Sequence, residues 1–167
     1  MKYMFTLAIL LLVQTIQAQN LSLDQLVSLQ NKDLEYVNEF LVSRGWQFDS
    51  SQAETDDKMG RAVWAHGKSN FDPEKAQAWF DLIYSPGYES TIRYQTHNKT
   101  QYTIIKNRMA ALGMKLLSSE IVEDGLLSVY LGNYFAIKIT SSSSRDSAVA
   151  KYIFTVINKE IYLKSLD

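Results

Sequence analysis

Residues Leu41–Gln52 have a counterpart 68 positions later, at Met109–Glu120. In each stretch an amphipathic run stops at a glycine, Gly45 or Gly113, and an alternating apolar segment starts one residue on. A helix closed by a left-handed glycine, followed by a strand with one buried face, fits both. Gly45 and Gly113 then sit at matching junctions, and the chain divides at about residue 97. The expectation is two units, residues 19–97 and 98–167, each a helix followed by four antiparallel strands.

Residues 1–18 read as a secretory signal peptide. Lys2 supplies the basic start, Phe5 to Val13 the apolar stretch, and Ile16-Gln17-Ala18 a cleavage site before Gln19. Their removal from 167 residues leaves 149, enough for one domain or two closely packed halves. The expected location is secreted or periplasmic, with no integral membrane span after signal cleavage. The chain has no cysteine, which rules out disulfides, thiol catalysis and thiolate zinc sites. Its net charge of −1 provides no basic patch for nucleic acid, so no nucleic acid is expected among its partners.

Ser22 and Gln25 have capping-box spacing at the start of the first helical stretch. Leu23, Leu26 and Val27, then Leu34, Val37 and Leu41, mark apolar faces on two helices with a break near Asn31. Trp46 and Phe48 alternate with polar residues into a first strand, and Ala62 to Ala65 form a second. Residues 76–84 read as a strand paired with 90–96 through the turn Ser85-Pro86-Gly87, with a helix over 73–83 as the alternative. Asn98 caps the second unit's helix, on which Tyr102, Ile105, Met109 and Leu112 recur at helical spacing. Strands follow at 114–121, 126–132, 134–140 and 151–158, with turns at Asp124-Gly125 and Gly132-Asn133 and a serine-rich loop over 140–147. Trp64 aligns with Tyr130 and Ile92 with Ile153.

The fold class is therefore α+β: two tandem helix-plus-four-strand units forming one extended antiparallel sheet, with the helices on one face. This element order resembles the tandem organisation of the beta-lactamase inhibitory protein family over most of the chain after residue 18. The resemblance is one of architecture, and it implies no residue roles.

His66 and His97 are the only imidazoles and show no ligand spacing, so both read as surface or edge residues. No nucleophile elbow, phosphate loop or S-x-x-K motif is present. The acidic pairs Asp56-Asp57 and Glu123-Asp124 lack the oxygen-ligand pattern calcium needs. No cofactor and no metal are expected, and no catalysis.

The aromatics suggest binding. If Val63, Ile92, Val129 and Ile153 face the helices, alternation turns Trp64, Arg93, Tyr130, Tyr152 and Phe154 to the open side, with Tyr134 and Trp79 nearby. The expectation is a non-enzymatic module that binds an unknown protein partner through Trp64, Arg93, Tyr130, Tyr134, Tyr152 and Phe154. Burial of these rings by a slipped register or by the segment 159–167 is the opposing expectation. The alternative function is a carrier of a small apolar ligand held between helices and sheet.

Overall fold

The structure, a computed structural model, describes residues 20–72, 75–85, 87–123, 125–143 and 150–166. The expected signal peptide, Pro86, Asp124 and the serine-rich residues 144–147 lie outside them. Among the described residues no helix is long and apolar enough to cross a membrane.

Helix α1 (Leu23–Leu29) begins in the expected capping box. The Ser22 backbone N–H donates to Gln25 Oε1 at 2.8 Å, and the Gln25 N–H donates to Ser22 Oγ at 3.2 Å. Helix α2 (Leu34–Val42) starts afresh at Asp33, whose carboxylate accepts the Tyr36 N–H at 2.8 Å, so the expected break is present. Helix α3 (Lys99–Ala111) is capped by Asn98, and α4 (Lys159–Lys164) by Asn158.

The strands are β1 (Gln47–Gln52), β2 (Gly60–His66), β3 (Ala78–Ser85), β4 (Tyr88–Thr96), β5 (Lys115–Val122), β6 (Gly125–Leu131), β7 (Phe135–Ser143) and β8 (Ala150–Asn158). They form one eight-stranded antiparallel sheet in the order β1-β2-β3-β4-β8-β7-β6-β5. Residues 78–85 are strand, so the helical alternative over 73–83 does not hold there. Part of the expected serine loop is also strand, because β7 continues to Ser143 opposite Ala150.

Helices α1, α2 and α3 share one core with the sheet. Leu23, Leu26, Leu29, Val37, Leu41, Ile105 and Met109 pack with Trp64, Phe80, Tyr94, Ile137, Phe154 and Val156. Helix α4, in the segment read from the sequence as a C-terminal tail, lies on the other face. Its Tyr162 packs with Val129 and Ala136, which neighbour the core residues Tyr130 and Ile137 in sequence and so point to the opposite face. The physical reason is that β6–β8 carry apolar residues on both faces. Val129, Leu131, Ala136 and Ile157 need a cover, and a short helix capped by the last residue of β8 supplies it.

Candidate functional site

The strand register decides which side chains share a face. Trp64 pairs with Phe80 and Phe80 with Tyr94, whereas Val63 pairs with Asp81 and Asp81 with Arg93. Val63 and Ile92 are therefore on opposite faces. The expected aromatic open face does not form for this reason. Trp64 is 0% exposed, and its indole Nε1 donates to Asn38 Oδ1 of α2 at 3.1 Å. Phe154 is also fully buried, in the same core. Tyr152 is half-buried and stacks on Tyr102 of α3 at 4.4 Å between ring centroids. Tyr130 is half-buried under the ammonium of Lys106, 3.6 Å from its ring centre. Trp64 and Phe154 are thus buried between the helices and the sheet, and Tyr130 and Tyr152 are half-buried against α3.

Arg93 does face the other side, and there it joins residues that alternation alone did not bring together. Asp81 lies deep in the sheet, its side chain 6% exposed. Its Oδ2 accepts from Arg61 Nη2 at 2.7 Å and lies 3.6 Å from Arg93 Nη1. The register explains the convergence: Arg93 is directly opposite Asp81, and Arg61 sits one diagonal step away on β2. The two guanidiniums stay roughly half exposed. Trp79, Gln95, Val63, Ser50 and Asp49 complete a depression of about 320 Å³ around them. At its rim the Lys68 ammonium is paired with the Asp49 carboxylate.

Counting the rim pair, two guanidiniums and the Lys68 ammonium face the Asp81 and Asp49 carboxylates, which leaves one net positive charge around this depression. Each guanidinium has five N–H donors, and Asp81 satisfies few of them. The half-buried Trp79 supplies an aromatic wall. The arrangement can take an anionic, planar group such as a carboxylate, with an apolar neighbour against the indole. In the other half of the sheet the matching area is covered, since Tyr162 of α4 lies over Val129 and Ala136.

Tyr134 is 76% exposed at the β6–β7 turn. It lines a second, more apolar groove of about 330 Å³ with Val27, Leu112, Met114 and Phe135. The bidentate ion pair of Arg108 with Asp24 links α1 to α3 nearby, Asp24 itself standing at the groove. His66 packs edge-on against Trp46 at 5.4 Å, and burial pushes its pKa below the usual histidine value. His97 Nδ1 lies 3.1 Å from the Ala150 carbonyl oxygen. Among the described residues no group of three or more acidic or imidazole side chains is placed to hold a metal.

The missed residues, Asp81 and Arg61, had one legible signal. An aspartate set between Phe80 and Leu82 in an apolar strand needs a cationic partner when buried. The sequence matches no protein-family model, and no curated protein or solved structure matches it.

Proposed function

We propose that the protein is a secreted, non-enzymatic binding module built from two tandem helix-plus-four-strand units, and that it captures an acidic segment of another protein. The contact is the sheet face of the first unit. The observation that carries this reading is the convergence of Arg61 and Arg93 on the buried Asp81 carboxylate, beside Trp79, on a face that α4 covers only in the second half. A partner carboxylate would bond the free guanidinium N–H groups, and an adjacent apolar side chain would rest on the indole. Arginine and tryptophan are the side chains most often found to dominate such contacts.

The two-unit reading draws on matching junctions. Gly45 and Gly113 both have positive φ, +81° and +70°. β1 is bulged between Phe48 and Ser50, and β5 between Leu116 and Ser118, again 68 positions apart. Phe48 pairs with Trp64 and Leu116 with Tyr130, which supports the alignment of Trp64 with Tyr130. Extended through the ladders, the same correspondence pairs Ile92 with Phe154 instead of Ile153.

The test is selection from a displayed random-peptide library on the immobilised protein. Peptides rich in Asp or Glu beside an apolar residue should be enriched, with affinity falling as salt rises. Arg93→Ala and Trp79→Ala, both at the surface of the depression, should lose the selected peptides while melting near the parent temperature. Enrichment of peptides without acids, or retention by both variants, would refute the reading.

The apolar groove beside Tyr134 favours a second reading, a carrier of a small apolar ligand. An apolar fluorescent dye that binds the parent and is excluded by Leu112→Glu would support it.

A further inference from the structure

Among the described residues the sheet has two free edges, β1 and β5, and they differ in chemistry. β1 is short and polar: Gln47, Asp49, Ser50, Ser51 and Gln52 surround Phe48, and Asp49 is held by Lys68. Polar residues and an inward-held charge are the usual protection against strand pairing at an edge. β5 is eight residues long, and where β1 has Asp49 at the bulge it has Leu117. Leu116 is 55% exposed and Ile121 90% exposed. Leu126, next to Ile121 on β6, is exposed as well.

We infer that the β5 edge pairs with the β5 edge of a second copy of this chain, antiparallel and about a two-fold axis at Ser119. The register on β6 shows why this strand complements itself. Leu117 is the extra residue of the bulge, since Leu116 pairs with Tyr130 and Ser118 with the next residue, Val129. With that residue set aside, the strand is symmetric in length about Ser119. A two-fold there puts Ser119 opposite Ser119, Ser118 opposite Glu120, Leu116 opposite Ile121, and Lys115 opposite Val122. Opposed residues then lie on the same face at every position.

Two complementarities follow from this one register. On the α3 side, Leu116 and Ile121 meet across the new boundary. This joins Tyr130 and Leu116 of one copy to Ile121 and Leu126 of the other in a continuous row, formed twice. On the opposite face Lys115 stands diagonal to Glu120 of the second copy, within reach of long side chains, also twice. The contact is isologous and closes after two chains, as a two-fold interface must. Because β1 is protected, the sheet would extend only from this edge.

Sedimentation equilibrium of the purified protein should give twice the chain mass at high concentration. Ile121→Lys, at a 90% exposed side chain, should give the monomer mass with an unchanged circular dichroism spectrum. Lys115→Glu should weaken the dimer about tenfold, and adding Glu120→Lys should restore it. The chain has no cysteine, so any disulfide must come from an introduced one. Ser119→Cys should oxidise to a covalent dimer, whereas Ser51→Cys, at the matching place on β1, should not. A monomer at every concentration would overturn the inference. So would a dimer indifferent to Ile121→Lys, or equal crosslinking at the two edges.

Discussion

The indole Nε1 of Trp64 donates to Asn38 Oδ1 at 3.1 Å, tying the middle of β2 to α2. The ring also meets Phe48 and Phe80 edge-on at 5.8 Å and 5.9 Å between centroids. Trp64→Ala should therefore unfold the protein more easily, by about 3–5 kcal/mol, through loss of buried area and the cavity left behind. Asn38→Ala should cost about 1–3 kcal/mol, because the indole N–H would be left buried without an acceptor. Urea titration with an unchanged slope measures both. A Trp64→Ala protein melting like the parent would contradict the burial.

Gly45 and Gly113 end their helices in the same way. The N–H groups of Trp46 and Met114 reach back to the carbonyls of Leu41 and Met109, both at 3.1 Å. Those bonds require the left-handed glycine between them. A Cβ added at Gly45 would meet only His66 Nε2 at 3.7 Å, and one at Gly113 would meet nothing within 4 Å. The cost of alanine is thus conformational at both sites, about 1 kcal/mol each. The two should be nearly additive in the double variant, as the sites share no partner. Asparagine, which tolerates this region better, should recover part of the loss at either site.

The elements that were legible in the sequence are those set by local chemistry. Ser22, Asn98, Gly45 and Gly113 act on backbone groups within a few residues, so their effect can be read without knowing the fold. Facing could not be read the same way. Ala62, Val63, Trp64 and Ala65 are all buried in β2, an interior strand between β1 and β3, so its burial does not alternate and carries no facing signal. Arg61, Asp81 and Arg93 converge only once three strands are in register, and that register depends on long-range pairing. Helix α4 was hidden by its length: six residues are too few to show helical periodicity, although Asn158 is a recognisable cap.

His66 should make the fold sensitive to mild acid. Burial lowers its pKa in the folded protein below the usual value near 6.5, and its buried Nδ1 has no hydrogen-bond partner among the described residues. The folded state thus favours the neutral ring. The stability it retains is full above pH 6.5 and is lost as pH falls through the lowered folded value. NMR titration of the His66 ring should give a midpoint below that of a model peptide. His66→Phe should flatten the decline of melting temperature between neutral pH and the lower titration point. A midpoint at or above 6.5 would show that burial does not govern the ring.

Tyr94 should set a limit at the alkaline end. Its ring is fully buried between Trp46 and Phe154, at 6.3 Å from each, and burial pushes the phenol pKa from 10 up to about 12. Thr96 and the Leu21 backbone are close to the hydroxyl, but neither makes a hydrogen bond of normal geometry with it. A raised folded pKa means the neutral phenol is favoured by folding. The associated stability is complete below pH 10 and disappears as pH rises from 10 through about 12. That gap corresponds to on the order of 3 kcal/mol. Tyr94→Phe keeps the ring and removes the ionisable oxygen. It should match or slightly exceed the parent at neutral pH, since the lost hydroxyl has no hydrogen-bond partner among the described residues. It should also lose much less stability than the parent across pH 10–12 in urea titrations. Parallel declines for the two proteins would mean that alkaline unfolding is driven from elsewhere.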